Sequence, residues 1–311
     1  MNKKVKLAFV LAGIGIFAAA ALRCVQMLCF FDYDTGFVTD SGLLTYIYCG
    51  AAIGVSLLCM LLCRVDKKLC ARIETKRNVA AGASALLMCV FLFLCAAALL
   101  RDFYLYRNNQ PTYFVQASHV TTHLPFAVLT LLFAIVSLIF AIIWLTGEGF
   151  PSGTGGLWAI GSVWGISYMI VTFMTYSAVA TTEENIFTVG GGAMMLLFLL
   201  SEGKLLSGAG GKKALRSTYV FGLPAAVLWM TYVISNTVLI IAGRGYATEM
   251  PYVIQLAMLC LSVHSLCLLL TVRRAARFCE SGEQFRRKCF KRHGKRVNFL
   301  KITEKVCIFS S

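Results

Sequence analysis

LPFAVLTLLFAIVSLIFAIIWLT, residues 124–146, runs for 23 positions without a charged side chain. Wound as an α-helix at ~1.5 Å per residue it reaches ~35 Å, enough to cross a hydrocarbon core of ~30 Å. It has no polar stripe to offer water, so burial in lipid or in other helices is the stable outcome. Seven further apolar stretches repeat the pattern: 7–30, 43–63, 79–100, 157–177, 186–201, 218–242 and 252–272. The shortest, 186–201, extends into Leu205 and Leu206 if its helix continues. The fold class predicted is an all-α integral membrane protein with eight transmembrane helices.

Composition agrees. Of 311 residues, 59% are hydrophobic and 14% charged, where soluble domains hold ~45–50% apolar residues. A soluble reading would have to bury nearly every face of several long helices. The net charge of +15 would point to nucleic acid in a soluble chain. Here the basic residues are topology signals. Twenty-five Lys and Arg lie at the N-terminus, in 64–78, in 202–217 and in the tail from Arg273, against three, Arg101, Arg107 and Arg244, in the alternate gaps. The positive-inside rule then predicts cytoplasmic N- and C-termini in a cell membrane, and an even number of spans closes the count. All 13 cysteines fall in apolar blocks or basic loops, so no disulfide-stapled ectodomain is expected. Trp144 and Trp158 flank one basic-side loop, and Phe31, Tyr104, Tyr106, Tyr113 and Tyr252 cluster on the other side. Headgroup level is the expected place for such rings.

GEGFPSGTGG, residues 147–156, holds five glycines, one proline and no Lys or Arg, and reads as a joint. It divides the chain into a first four-span half (1–146), the Gly-rich linker (147–156), a second four-span half (157–272) and a basic tail (273–311). Loops 64–78 and 202–216 each carry a Lys-Lys pair, Lys67/Lys68 and Lys212/Lys213. A parallel repeat would look like this, and so would two ordinary basic loops. The opening NKKVK followed by an apolar run resembles a signal peptide. The run resumes after Arg23 with Val25, Met27, Leu28, Phe30 and Phe31, so an uncleaved first span is expected.

The spans are read as carrying no Asp or Glu at depth, with Glu202 at the end of the sixth. A proton relay usually rests on such a carboxylate, so proton coupling is not expected. Arg23 is the basic residue inside an apolar run, ~25 Å above Lys6. It is either a snorkelling side chain bonded to Gln26, Asp32 or Asp34, or an anion-binding residue. In the eighth span Cys260, His264 and Cys267 share one helix face. Thiolate and imidazole there could hold a metal, while an interhelical hydrogen bond from His264 is the simpler use. Gln255 lies on another face and is expected to bond a neighbouring helix or headgroup water, and Asn236 a neighbouring helix. Arg23, Gln26, Gln255, His264 and Asn236 are the candidate ligand-binding residues. His119 and His123 are four apart, but Pro125 suits a first helical turn, which leaves both in the loop or cap. Gly50/Gly54, Gly161/Gly165 and Gly190–Gly192 have the spacing of close helix packing. Gly222 and Pro224 should weaken the seventh span.

The tail contains RRKCFKRHGKR. Arg286, Arg287, Lys288, Lys291 and Arg292 are expected to meet anionic lipid headgroups, at ~1 kcal/mol per charge near the surface. No nucleic-acid module accompanies them. Phosphate loops, dinucleotide glycine fingerprints, HExxH and GxSxG are all missing from the sequence, so no cofactor and no catalytic residue is assigned.

LRCVQMLCFFDYDTGFVTDSG, residues 22–42, and more loosely SEGKLLSGAGGKK, residues 201–213, resemble multi-pass membrane proteins of anaerobic Gram-positive bacteria. The resemblance implies a bacterial cytoplasmic membrane and no activity. The function expected is that of a permease-like or channel-like protein for a small solute. The alternative is a membrane-embedded sensor or assembly protein. Expected partners are the bilayer, anionic headgroups at the tail, and a protein partner or second copy.

Overall fold

With no water in a hydrocarbon core, each apolar stretch must satisfy its own peptide groups, and the helix does so along its whole length. The computed structural model describes residues 3–32, 39, 42–64, 77–111, 120–147, 154–176, 182–209, 211–244 and 250–292, with side-chain surroundings up to Val272. The long helices are α1 (Lys3–Cys29), α2 (Leu43–Arg64), α3 (Val79–Arg107) and α4 (Val120–Thr146). They continue with α5 (Ala159–Val171), the one-turn α6 (Thr182–Asn185), α7 (Gly191–Leu206), α8 (Gly211–Ile241) and α9 (Tyr252–Arg292). A 3-10 turn, Thr154–Trp158, opens the path into α5, and π-helical turns follow α5 (Thr172–Tyr176) and α6 (Ile186–Gly190).

Eight helical segments are long and apolar enough to cross a membrane: Lys4–Cys29, Leu43–Arg64, Val79–Arg107, Thr122–Thr146, Gly155–Tyr176, Glu183–Leu206, Lys213–Ile241 and Tyr252–Val272. The all-helical fold class follows directly, and no strand occurs among the described residues. The sixth span is longer than 186–201 at both ends, because the π turn carries the helical path from Glu183 into α7 without a break. The third runs on to Arg107, where Asn109 adopts φ 53° and ends it. At its start the Asn78 side chain accepts from Ala81 N, and Asn78 N donates to the carbonyl of Trp144 at 2.8 Å. That tie holds the third and fourth spans together at one end.

Residues 120–146 are helical, so His123 belongs to α4 and not to a loop, with Pro125 inside the helix. His123 is buried, and its Nε2 meets the Tyr176 hydroxyl at 3.0 Å. His119 lies outside the described residues.

Packing organises the spans as a ring with an attached pair. Third packs on fourth, fourth on fifth, fifth on sixth, sixth on seventh, seventh on eighth, and eighth on third. These six close a circuit. The first and second spans pack on each other and both lean on the seventh. The seventh thus touches neighbours on every side and is the most buried span, at 67% of its apolar window against 33% for the second. Packing crosses the joint at 147–156. Outward-facing side chains such as Phe17, Ile14, Leu57 and Ile166 are exposed and apolar, a surface suited to lipid tails.

Charge distinguishes the two ends of the bundle. Lys4, Lys6, Arg64, Arg77, Lys204 and Lys213 mark the basic end. Asp32, Asp102, Glu183 and Glu184 mark the far end, beside Arg101, Arg107 and Arg244.

Candidate functional site

Arg23 stands on α1 two turns before the helix ends. Its side chain is only 2% exposed and sits against rings from two other spans. The guanidinium carbon lies 4.6 Å from the Tyr232 ring centroid and 5.6 Å from that of Phe187. Tyr48, Phe187 and Tyr232 form a near-parallel stack: Tyr48 to Phe187 is 6.1 Å and Phe187 to Tyr232 is 5.8 Å, each at 15°. The π turn at Ile186–Gly190 is what brings Phe187 and Thr188 into this interior, and π turns often mark functional sites.

Two carboxylates complete the cluster. The Tyr48 hydroxyl donates to Glu183 Oε2 at 2.8 Å, and the Tyr232 hydroxyl donates to Glu184 Oε1 at 3.4 Å. Both carboxylates act electrostatically on Arg23. Sequence reading looked to Asp32 and Asp34 for that role. Asp34 lies outside the described residues; Glu183 and Glu184, at the start of the sixth span, are acids that act on Arg23. One turn beyond Arg23, Gln26 is fully buried and donates from Nε2 to Thr45 Oγ1. On Arg23 and Gln26, three buried polar atoms have no partner among the described residues: Arg23 Nε, Arg23 Nη1 and Gln26 Oε1. A buried polar group without a partner costs ~1–3 kcal/mol, and more when it is charged.

The second cluster lies nearer the basic end, inside the six-span ring. His264 Nε2 meets Glu202 Oε1 at 3.1 Å, and its Nδ1 meets Ser84 Oγ at 3.1 Å. All three side chains are buried, and Glu202 and His264 are fully enclosed. Trp144 and Trp158 cover the imidazole, with centroids at 5.4 and 5.9 Å. Both tryptophans lie near the ends of their spans, as expected of headgroup-level rings, but do not face outward. Both turn inward against Phe140 and are 5% and 0% exposed. Glu202, read as sitting at the end of its span, lies one turn inside that end, and its side chain is fully buried and bonded to His264. Asp102 and Glu184 are buried as well. Glu202 Oε2 and Trp158 Nε1 have no partner among the described residues.

Aromatic contacts join the two clusters. From Trp158 they pass to Phe133 (5.7 Å), Trp164 (5.4 Å), Tyr168 (6.0 Å), Trp229 (5.9 Å) and Tyr232 (6.0 Å), which faces Arg23. Two glycines admit this column. A Cβ on Gly192 would lie 2.6 Å from Tyr168 Cε1, and one on Gly191 would lie 3.0 Å from Trp229 Nε1.

Cys260, His264 and Cys267 do not form a metal centre. Both imidazole nitrogens of His264 are committed to Glu202 and Ser84, and no group of three or more ligand side chains among the described residues could hold an ion. Asn236 and Gln255 bond each other at 2.8 Å, and Gln255 Nε2 donates to the Met250 carbonyl at 2.9 Å. They tie the seventh span to the eighth, with Asn236 one turn beyond Tyr232 on the same helix. The tail residues Arg286, Arg287, Lys288, Lys291 and Arg292 fall on the continuation of α9, beyond the described side chains.

Sequence reading missed Tyr48, Phe187, Tyr232, Glu183, Glu184 and Ser84. One signal was available: two consecutive glutamates directly before an apolar run place negative charge at a span's end. The aromatic residues carried none, because a buried ring and a lipid-facing ring look alike in a membrane sequence.

No protein-family model matches the chain, and no curated protein and no solved structure matches it either.

Proposed function

We propose that this chain is a permease-like protein of a cell membrane that carries a small solute, with its N- and C-termini in the cytoplasm. One observation carries the reading. The Arg23 cluster lies on the seam between the first two spans and the six-span ring, and side chains from both sides build it. Arg23, Gln26, Thr45 and Tyr48 come from the pair, and Glu183, Glu184, Phe187 and Tyr232 from the ring. Carriers place solute sites between units that move against each other. An intramembrane ionisable residue points by default to such a pathway. The first two spans are also the least buried of the eight, so they are the unit with least packing to lose on moving.

Locking the seam tests this. In a cysteine-free background, Phe9→Cys with Tyr219→Cys, whose native rings meet across the seam away from the Arg23 cluster, should be bridged by a flexible, reducible thiol crosslinker. Uptake of a transported solute into proteoliposomes should then stop and return on reduction. Uptake indifferent to the bridge, or no uptake across a broad solute panel, would sink the permease reading.

One observation favours the sensor alternative. The helix carrying His264 runs unbroken from Tyr252 to Arg292, so a shift of the eighth span would be delivered to the basic tail.

A further inference from the structure

The unmatched atoms around Arg23 specify a ligand more narrowly than a small solute. Arg23 Nε and Nη1 are donors, buried and without a partner among the described residues. A guanidinium stays charged at any working pH and presents its N–H groups in a fork that suits a carboxylate. A free anion alone fits poorly, because Glu183 and Glu184 already act on the same guanidinium and would oppose a second negative charge there.

The rest of the site asks for the opposite charge. Gln26 Oε1 is an acceptor without a donor, three residues along α1 and so on the same helix face as Arg23. Glu183 and Glu184 supply negative charge through carboxylates held by Tyr48 and Tyr232. The stacked rings of Tyr48, Phe187 and Tyr232 offer π faces, which attract an ammonium. A lone cation would in turn be repelled by Arg23.

We propose that the outer cluster of Arg23, Gln26, Glu183, Glu184 and the Tyr48–Phe187–Tyr232 stack binds a small zwitterion of the α-amino-acid class. Its carboxylate takes the Arg23 donors. Its ammonium lies toward Gln26 Oε1 and the two glutamates. One molecule then answers the unmatched atoms of Arg23 and Gln26 and adds no net charge to a buried site. Arg23 is only 2% exposed, so entry requires the seam to part, and the Tyr48–Glu183 hydrogen bond is one of the contacts that span it. The assignment rests on the solute-handling reading given above, but it is tested by binding alone.

The test is thermal unfolding of the detergent-purified full chain with L-alanine, propionate or ethylammonium, which carry both charges, only the negative and only the positive. At about 10 mM, L-alanine should raise Tm by ~2 °C if the site has millimolar affinity, while the other two leave it unmoved. Arg23→Gln should abolish the alanine shift. Arg23→Lys keeps the charge without the fork and should reduce it. Should Arg23→Gln not fold, Glu183→Gln serves: it should weaken the response to alanine and let propionate produce one. No shift with alanine in the wild type, equal shifts with propionate or ethylammonium, or an alanine shift that survives Arg23→Gln would each overturn the proposal. Binding without transport would defeat the permease reading and leave this one standing. Transport of a non-zwitterion without alanine binding would do the reverse.

Discussion

The imidazole of His264 and the carboxylate of Glu202 approach to 3.1 Å from helices 62 residues apart in sequence, both fully buried. His264 lies ~12 Å from the basic end of its span and ~18 Å from the far end, within the thickness of the hydrocarbon. Burying two ionisable groups costs several kcal/mol per ion, and their attraction repays it only with good geometry. Here Ser84 holds the other ring nitrogen, and the tryptophans exclude lipid from one side.

Removing either partner alone should therefore hurt more than removing both. His264→Ala strands Glu202 and is expected to cost ~3–5 kcal/mol, as is Glu202→Ala. His264→Leu combined with Glu202→Leu leaves no stranded charge and should cost less than either truncation. Unfolding of the detergent-solubilised variants measures this. Additive losses would show that the pair is not coupled.

The glycine pairs divide into two classes. A Cβ on Gly161 would lie 2.7 Å from Phe133, and one on Gly165 would lie 3.0 Å from Leu196, whereas Gly50 and Gly54 meet nothing within 4 Å. Gly161→Ala should destabilise by ~1–3 kcal/mol through overpacking. Gly50→Ala and Gly54→Ala should be neutral or stabilising by up to ~1 kcal/mol, since alanine is the better helix former. Gly155→Ala is the most severe case, because its Cβ would meet the Ser207 backbone at 2.6 Å, which cannot rotate away. Equal effects across these sites would contradict the packing described.

The same glycines show what sequence could and could not tell. Spans were legible because crossing ~30 Å of hydrocarbon fixes a length and a composition. Neighbours were not, because lipid tails and core side chains are equally apolar. The Gly50 and Gly161 spacings therefore read alike, yet only the second closes on another helix. Glu202 seemed terminal by counting residues, but a side chain one turn from a helix end can reach inward to His264. Arg23 and Gln26 were visible as polar residues in an apolar run. Their partners were hidden, since Thr45 reaches Gln26 and Phe187 and Tyr232 reach Arg23 only through the packing of one span on another.

Topology is predicted from the split of Lys and Arg between the two ends. A reporter fused after Ser311 should be active on the cytoplasmic side. Thr39 is exposed and bonded to the Phe30 carbonyl, and Thr39→Cys should react with an impermeant thiol reagent added from outside. A C-terminal reporter active outside would invert the orientation.

For the tail, replacing Arg286, Arg287, Lys288, Lys291 and Arg292 with Gln should weaken attachment of the full chain's C-terminal segment to anionic bilayers. In nanodiscs, limited proteolysis beyond Val272 should be slower with anionic than with neutral lipid, and the difference should vanish in the variant. Screening should be strong in salt, because the surface term falls off within a Debye length of ~10 Å at 0.1 M. Protection independent of lipid charge would remove the electrostatic argument.

The last prediction concerns which acid Arg23 answers to. Arginine costs ~2.5–3.5 kcal/mol at the centre of a span on insertion scales; Arg23, nearer the end of its span but fully enclosed, offsets its own desolvation with ring faces and the field of Glu183 and Glu184. Arg23→Gln should lower stability in detergent. The partner is identified by coupling: Arg23→Gln with Glu184→Gln should cost less than the sum of the singles by ~0.5–3 kcal/mol, because each single change leaves the other charge buried and unanswered. Glu184 is the sharper choice, being buried, where Glu183 is half-buried. Asp34→Asn should add to Arg23→Gln without coupling. If coupling appears with Asp34 and not with Glu184, the outer loop rather than the sixth span neutralises Arg23, and the zwitterion site loses the negative half of its design.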